Sequence, residues 1–288
     1  MAEKFKLDDK LEKGSVCKYL IEPALSKITR LLVLDTVTST NDEVMRVLQQ
    51  GVGGFVGCVT NHQSKGRGRD GKVWQSPANA NVYMSIGCEF DVSQVGEVGG
   101  LSLACGVAVA RLMSKIGVNV DLKWPNDILL NDKKLAGLLI ETRISSSKMY
   151  VVVGLGLNID MPESASKKID QPWIDLLTAL TAKGSNHNKS LADLELNGRN
   201  DLVAKLFNVL VECLLEYKSS GFMSFERDWN KLDLLTGRKV FIKTEDEEVE
   251  AKVLGYGNDH SLRVIINEEE KTYYAADIKL KIKKYANN

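Results

Sequence analysis

Apolar residues first recur at helical spacing after Ser39. Ser39-Thr40-Asn41-Asp42-Glu43 reads as a helix start, with cap residues first and then acids against the positive end of the dipole. Val44, Val47 and Leu48 give the apolar face, and Gly51 supplies the stop. Phe55–Thr60 is a short β-like run. From His62 to Asn81 the pattern dissolves into Gly, Lys, Arg, Ser and Pro, and a loop that long inside a compact domain is usually functional or disordered. Val82–Phe90 resumes a strand. Leu101, Ala104, Cys105, Ala108, Leu112 and Ile116 predict a helix ending at Gly117. Strands over Asn119–Trp124, Ile128–Leu130 and Leu135–Thr142 follow, the last two joined by the hairpin-type turn Asn131-Asp132. Met149–Gly154 is a further strand, running into Gly154-Leu155-Gly156-Leu157-Asn158.

Residues 160 to 190 are polar and irregular, with Trp173 as their one large aromatic. A helix is predicted from Asn200 to Tyr217, closed by Gly221, and a short one from Phe222 to Asn230. After Leu232 the character changes. Arg238–Lys243, Glu248–Tyr256, Ser261–Asn267, Thr272–Ala275 and Ile278–Ile282 read as short strands with acidic or glycine turns, the spacing of a small β-barrel of SH3-like size. The expected class is α+β: an N-terminal extension over 1–24, a mixed β-sheet with flanking helices over 25–232, and the barrel over 233–288.

Composition narrows the chemistry. The chain has 288 residues, enough for a large domain and a small one. Lys+Arg and Asp+Glu each number 38, which does not suggest bulk nucleic-acid binding. No run of eighteen apolar residues appears, and no membrane association is expected. The charged N-terminus has neither the apolar core of a secretory signal nor the acid-poor character of a transit peptide. Five scattered cysteines include no CxxC pair. Cys58, Cys88, Cys105 and Cys213 lie in apolar runs and read as small buried hydrophobes. His62, His187 and His260 form no metal-ligand spacing, which argues against zinc and against a Cys–His nucleophile. A reducing, cytoplasmic setting fits.

The most unusual segment is Gly66-Arg67-Gly68-Arg69-Asp70-Gly71-Lys72. It matches GxGxxG, but Lys72-Val73-Trp74-Gln75-Ser76-Pro77 is no helix start, so a pyrophosphate would find no dipole to sit on. It nearly matches the P-loop pattern, but Val73 stands where Ser/Thr should reach magnesium. Three glycines let backbone N–H groups approach a ligand, and Lys65, Arg67, Arg69 and Lys72 surround them against one acid, Asp70. Such a loop suits a phosphate-bearing ligand; a solvated basic loop is the alternative.

Five motifs follow in order: Ser39-Thr40-Asn41; Gly66–Gly71 with Trp74; Lys123-Trp124-Pro125-Asn126-Asp127; Lys134-Leu135-Ala136-Gly137; and Gly154-Leu155-Gly156-Leu157-Asn158. The series resembles the signature of the biotin–protein ligases, the family of holocarboxylase synthetases and bacterial ligase-repressors. The resemblance spans roughly residues 30–160. It implies a class II synthetase-like catalytic domain with a C-terminal SH3-like barrel, and a two-step reaction using ATP, Mg2+ and biotin. Biotin's carboxylate attacks the α-phosphate, and a lysine of a biotin carboxyl carrier domain then opens the mixed anhydride.

The resemblance also implies roles. Lys134 would contact the biotin carboxylate and α-phosphate, and Asp127 would accept or position the carrier lysine's proton; otherwise they are a hairpin lysine and a turn aspartate. Arg67 and Arg69 would hold the adenylate. Ser39, Thr40, Asn41, Gln63, Gly66, Gly68, Gly137, Leu139, Gly154 and Gly156 would line the biotin site, the glycines letting strands press on the flat bicycle. Lys123, Asn126, Asn158, Trp74 and Trp173 would meet the nucleotide, with Asn158 near magnesium and Lys281 a further candidate on fold analogy. Either tryptophan could instead belong to the core.

Only about 30 residues precede the first motif, too few for the helix-turn-helix of the ligase-repressors plus a linker, so no DNA binding is expected. Asp70 stands where many relatives have a basic residue. The rivals are a lipoate–protein ligase on a related fold, a non-catalytic biotin-binding module, and, least favoured by the neutral charge, a nucleic-acid-binding protein. Carrier identity and homodimerisation are left open.

Overall fold

The computed structural model describes residues 10–145, 148–181, 196–244, 248–275 and 278–282. The order is α1 (Lys13–Lys18), α2 (Ala24–Lys27), β1 (Ile28–Val37), α3 (Thr40–Gln49), β2 (Phe55–Gln63), β3 (Val82–Asp91), α4 (Leu101–Lys115), β4 (Asp121–Lys123), β5 (Asp127–Leu130), β6 (Lys133–Ser145) and β7 (Lys148–Leu157). Then come α5 (Glu163–Ser166), α6 (Leu176–Thr181), α7 (Arg199–Ser220), α8 (Met223–Leu232), β8 (Lys239–Lys243), β9 (Glu248–Tyr256), β10 (Leu262–Ile266), β11 (Glu269–Tyr273) and β12 (Lys279–Ile282). His187 lies outside the described residues, as does the side chain of Lys281.

Strands β1 to β7 form one mixed sheet in the order β1-β2-β3-β7-β6-β5-β4. Only β1 and β2 run parallel, and a parallel pair needs a crossover, which α3 supplies. Helices α4 and α7 cover one face; α3 covers part of the other, packing on β2, β3 and β7. Side chains of β7 alternate accordingly. Val151, Val153, Leu155 and Leu157 enter the main core, whereas Tyr150 and Val152 join Val44, Val47 and Leu48 of α3 in a second cluster. Two rungs further, that second face carries only Gly154 and Gly156.

Strands β8 to β12 form an antiparallel sheet in the order β11-β10-β9-β8-β12. Its inward residues, among them Val240, Ile242, Val253 and Val264, are continuous with the main core. Leu234 N–H donates to Leu122 O at 2.8 Å and Trp124 Nε1–H to His260 O at 3.0 Å. The His260 ring packs on Gly100 and edge-on to Phe222, with centroids 4.7 Å apart.

At the start of α7, Arg199 is 1 % exposed. It donates to Asn61 Oδ1 at 2.8 Å and Asn81 O at 2.6 Å, and Asn61 Nδ2 donates to Asp35 Oδ1 at 3.0 Å. Burial pushes its pKa down to about 10, partly opposed by Tyr83. The helix thereby clamps both ends of the long loop between β2 and β3.

Several expectations change. The hydrophobic reading assigns nothing before Ser39, where α1, α2 and the edge strand β1 lie; β1 has few buried positions because one side of it has no neighbour. Ser39 occupies the cap position of α3 but makes no side-chain cap bond. The first turn is satisfied instead by Gln63 Oε1, which accepts from Thr40 N–H at 2.9 Å. Residues 160–190 contain α5 and α6. The strand expected at Thr272–Ala275 begins at Glu269, because Asn267 and Glu268 both take left-handed φ (51° and 71°) and close a two-residue hairpin. The window Val98–Lys115 has the length and mean hydropathy of a membrane span, but it is two-thirds buried in the core.

Candidate active site

The glycines on the open face of β7 build a trough. Strand register sets Tyr83, Gly156 and Gly137 side by side on β3, β7 and β6, with Ser85, Gly154 and Leu139 as the next rung and Gly87, Val152 and Glu141 beyond. Any side chain at Gly154 or Gly156 would fill it. A Cβ at Gly154 would overlap Asn41 Oδ1, and one at Gly156 would come within 2.6 Å of Trp74 Nε1.

One end of the trough is polar, set by the first turn of α3. Ser85 Oγ lies 2.7 Å from Thr40 Oγ1 and 2.6 Å from Asn41 Oδ1. Thr40 Oγ1–H reaches Gln63 Oε1 at 3.1 Å, and Gln63 Nε2 donates to Ser76 Oγ at 3.3 Å. Asn41 Nδ2 donates to Glu141 Oε2 at 2.8 Å and to Leu139 O at 3.4 Å. Ser39, Thr40 and Asn41 are all buried.

The other end is charged. Lys134 Nζ lies 2.6 Å from Asp127 Oδ1, and Lys123 Nζ lies 3.9 Å from Asp127 Oδ2. Burial alone would raise the Asp127 pKa, but Lys134 and Lys123, with Arg69, overcome it and hold the carboxyl below its ordinary value. Burial lowers the Lys123 pKa, opposed by Asp127 and reinforced by Lys134 and Lys72. Trp173 lies alongside: Lys134 N–H donates to Pro172 O and Ile174 N–H to Lys134 O, both at 3.0 Å. Asn126 Nδ2 donates to Leu138 O at 2.6 Å, fastening β5 to β6. Asn158 is 3 % exposed, and its amide nitrogen is committed to Lys134 O and Ile174 O. That placement makes it a brace behind Lys134 and leaves only its carbonyl oxygen for a metal or phosphate partner.

The glycine loop lies over the trough. Arg67 is bidentate to Asp42 (2.8 and 2.6 Å) and reaches Glu141 Oε1 at 3.2 Å; the hydrogen bonds to Asp42 raise its pKa further. Arg69 donates to Ala275 O of the second sheet. Burial lowers its pKa, opposed by Asp70 and Asp127. Gly66 is buried against Ser76 and Trp74 O, whereas Gly68 has room. Trp74 rests on Gly156 and Gly137, with Lys134 Nζ 5.3 Å from its ring centroid. It therefore sits on the trough floor beside Lys134.

The sequence-predicted residues thus gather along β6 and β7. Asp42, Ser85 and Glu141 went unpredicted. Ser85 carried a signal, the one small hydroxyl residue inside the apolar run Val82–Cys88; Asp42 looks like a dipole acid and Glu141 like an exposed strand position.

The model of the biotin/lipoate A/B protein ligase family matches residues 33–158. The bifunctional ligase/repressor BirA of Escherichia coli is 32 % identical over 219 residues, covering 75 % of this chain. The match spans 63 % of that protein's length. The biotin–[acetyl-CoA-carboxylase] ligase of Mycobacterium tuberculosis is 32 % identical over 249 residues, 84 % of this chain and 85 % of that protein. Among solved structures, the biotin protein ligase of Aquifex aeolicus in complex with biotin and ATP superimposes with a TM-score of 0.69. It covers 89 % of this chain and all of that one at 23 % identity, a likeness of fold.

Proposed function

Because this chain belongs to the biotin–protein ligases within the biotin/lipoate A/B protein ligase family, we propose that it activates biotin with ATP and transfers it to a lysine of a biotin carboxyl carrier domain. The observation that carries this reading is the junction of a glycine-floored trough with a half-buried Lys134–Asp127–Lys123 cluster. A flat acyl bicycle fits a floor without side chains, and its carboxylate would lie at the cationic end.

In the first step a carboxylate approaches a polyphosphate, and the repulsion falls only if fixed cations share the charge. Lys134 and Lys123 supply two at the trough end, and Arg67 and Arg69 supply two more from the loop on exchanging their present partners. A carboxylate oxygen bonds to the α-phosphorus and pyrophosphate leaves. Among the described residues no cluster of three metal-ligating side chains occurs. Magnesium then fits as a companion of the nucleotide phosphates, keeping much of its water. In the second step the carrier amine attacks the acyl carbonyl and AMP leaves. An ordinary lysine amine has a pKa of about 10.4 and must shed a proton. Asp127, held below its usual range, is a weak base, so the proton passes to solvent before attack and the part of Asp127 is to orient Lys134 and the incoming amine.

Further parts of the reading are an SH3-like closure of the second sheet, a catalytic unit over 25–232 with the small domain over 233–288, and a cytoplasmic setting. Lipoate is the competing acyl group. Biotin-dependent ATP–pyrophosphate exchange, run beside lipoate in wild type and Lys134→Ala, tests the reading. Exchange with biotin alone, lost in the variant, supports it; exchange with lipoate alone moves the chain to the sister activity; exchange with neither sinks it.

A further inference from the structure

Arg199 puts a charge where burial makes it most costly. Its Nε–H is buried without a hydrogen-bond partner, and among the described residues no carboxylate pairs with its guanidinium. An apolar side chain would fill the same space without the cost of burying a cation. What the arginine brings instead is a rigid fork of donors able to hold two acceptors at once. Here these are Asn61 Oδ1, near the end of β2, and Asn81 O, just ahead of β3.

Each acceptor leads to a different part of the site. On one side, Asn61 O accepts from Asn79 N–H at 3.2 Å, and the next residue, His62, places Nδ1 2.6 Å from Ser76 O; both contacts close the base of the glycine loop. On the other side, Asn81 Oδ1 accepts from Ile159 N–H at 2.8 Å, and Ala80 O accepts from Asp160 N–H at 2.9 Å. Ile159 follows Asn158, whose N–H donates to Leu135 O at 2.9 Å and whose side-chain amide braces Lys134 O. We propose that Arg199 is a positioning residue for the adenylation step. It fixes the separation between the glycine loop and the strand of Lys134, so that Arg67 and Arg69 from one side and Lys134 from the other converge on one phosphate. The proposal rests on the ligase reading above and adds to it a residue that is buried beneath the site and touches no substrate. The trough floor is set by the pairing of β3, β7 and β6, and the first turn of α3 by Gln63, so neither hangs on this guanidinium.

The test compares wild type with Arg199→Lys in biotin-dependent ATP–pyrophosphate exchange and in biotin binding by calorimetry without ATP. Lysine keeps the charge, but a single ammonium does not reproduce the planar fork between both acceptors. The expected result is a kcat about ten- to hundredfold lower, the scale for catalytic groups misplaced by about 1 Å, with the biotin Kd within about threefold of wild type. Asn61→Ala cuts the loop arm and leaves the Asn81 arm. It should lower kcat in the same sense while the biotin Kd holds, and it carries the test if Arg199→Lys does not fold. Full exchange by either folded variant would overturn the proposal and make Arg199 a filler of the core. So would a biotin Kd that weakens in step with kcat, because the trough itself would then depend on the guanidinium. Wild-type protein without biotin-dependent exchange would overturn the ligase reading, and the positioning role with it.

Discussion

Lys134 Nζ and Asp127 Oδ1 are 2.6 Å apart, yet the two residues are not cross-strand partners: Asp127 pairs with Gly137 and Lys134 with Leu129. The ion pair closes diagonally over the bare surface of Gly137, at a register shift between Ile128 and Leu129. A side chain at position 137 would meet Lys134 Cε within 3.0 Å. The glycine therefore permits the pair as well as flooring the trough.

Lys134→Ala is expected to lower biotin-dependent exchange by about a hundred- to thousandfold, the usual scale for one electrostatic group at a reacting centre. Asp127→Ala should cost more in stability than in exchange. It leaves Lys134 and Lys123 with no shared counter-charge in a half-buried site, and loss of one partner of such a pair costs about 3 kcal/mol. Urea denaturation of both variants checks this. A stable Asp127→Ala protein would show that the pair does not hold the turn.

The Lys123 pKa is lowered, so this cation is lost before the pH reaches its ordinary 10.5. The alkaline limb of the exchange rate should accordingly fall below that value, and Lys123→Arg should move it upward. Asp127, lowered below 3.8, has the opposite bearing. The stability it contributes is complete above that ordinary value and disappears as pH falls through its folded pKa, so it does not limit the enzyme at mildly acid pH. A pH–rate profile of the two proteins decides the first point and acid unfolding the second.

Gly154→Ala should raise the KM for biotin and leave that for ATP nearly unchanged, since the new Cβ overlaps Asn41 Oδ1 at the α3 end of the trough. Overpacking of about 1–3 kcal/mol placed on that site corresponds to roughly 5- to 160-fold. An equal rise in both constants would mean that the whole trough had shifted.

His260 predicts an acid sensitivity in the seating of the second sheet. Burial lowers its pKa below 6.5, with Asp259 and Glu226 opposing. The folded protein therefore binds fewer protons than the unfolded chain between the folded pKa and 6.5, and stability rises with pH across that window. His260→Gln should flatten the dependence of Tm on pH there. A slope that survives the substitution would assign the effect elsewhere.

Cys58, Cys88, Cys105 and Cys213 are buried, and burial pushes the Cys58 thiol up to about 12, with Glu43 adding to the shift and Arg46 opposing it. Only Cys17 should react quickly with a thiol reagent in the native protein, and all five in denaturant. A second fast thiol would indicate that a helix opens from the core.

The elements most legible in the chain were those whose pattern repeats locally. The 3.6-residue spacing of α4 and the paired left-handed Asn131 and Asp132 (φ 53° and 59°) place themselves without reference to neighbours. Strand β1 did not, because it lies at the sheet edge and its mixture of buried and exposed positions depends on what it packs beside. The site divides the same way. Lys134, the trough glycines and the loop stand in short motifs. Asp42 and Glu141 matter through Arg67, which lies 25 and 74 residues away along the chain, and no local spacing reports such a bond. Ser39 misled for a related reason: its usual capping work is done by Gln63, from the next strand.

The two stitches from His62 and Gln63 to Ser76 make residues 64–75 an interchangeable segment. Past the stitches Ser64 N–H to Val37 O and Lys65 N–H to Thr38 O, both at 2.9 Å, continue the pairing with β1, and the rest of the segment carries Arg67, Arg69 and Trp74 to the trough. Each doubling of a flexible loop's length costs only about 0.6 kcal/mol in closure entropy. Evolution, or an engineer, could therefore lengthen, shorten or recharge this stretch to suit a different acid while the catalytic lysine and its aspartate stay where they are.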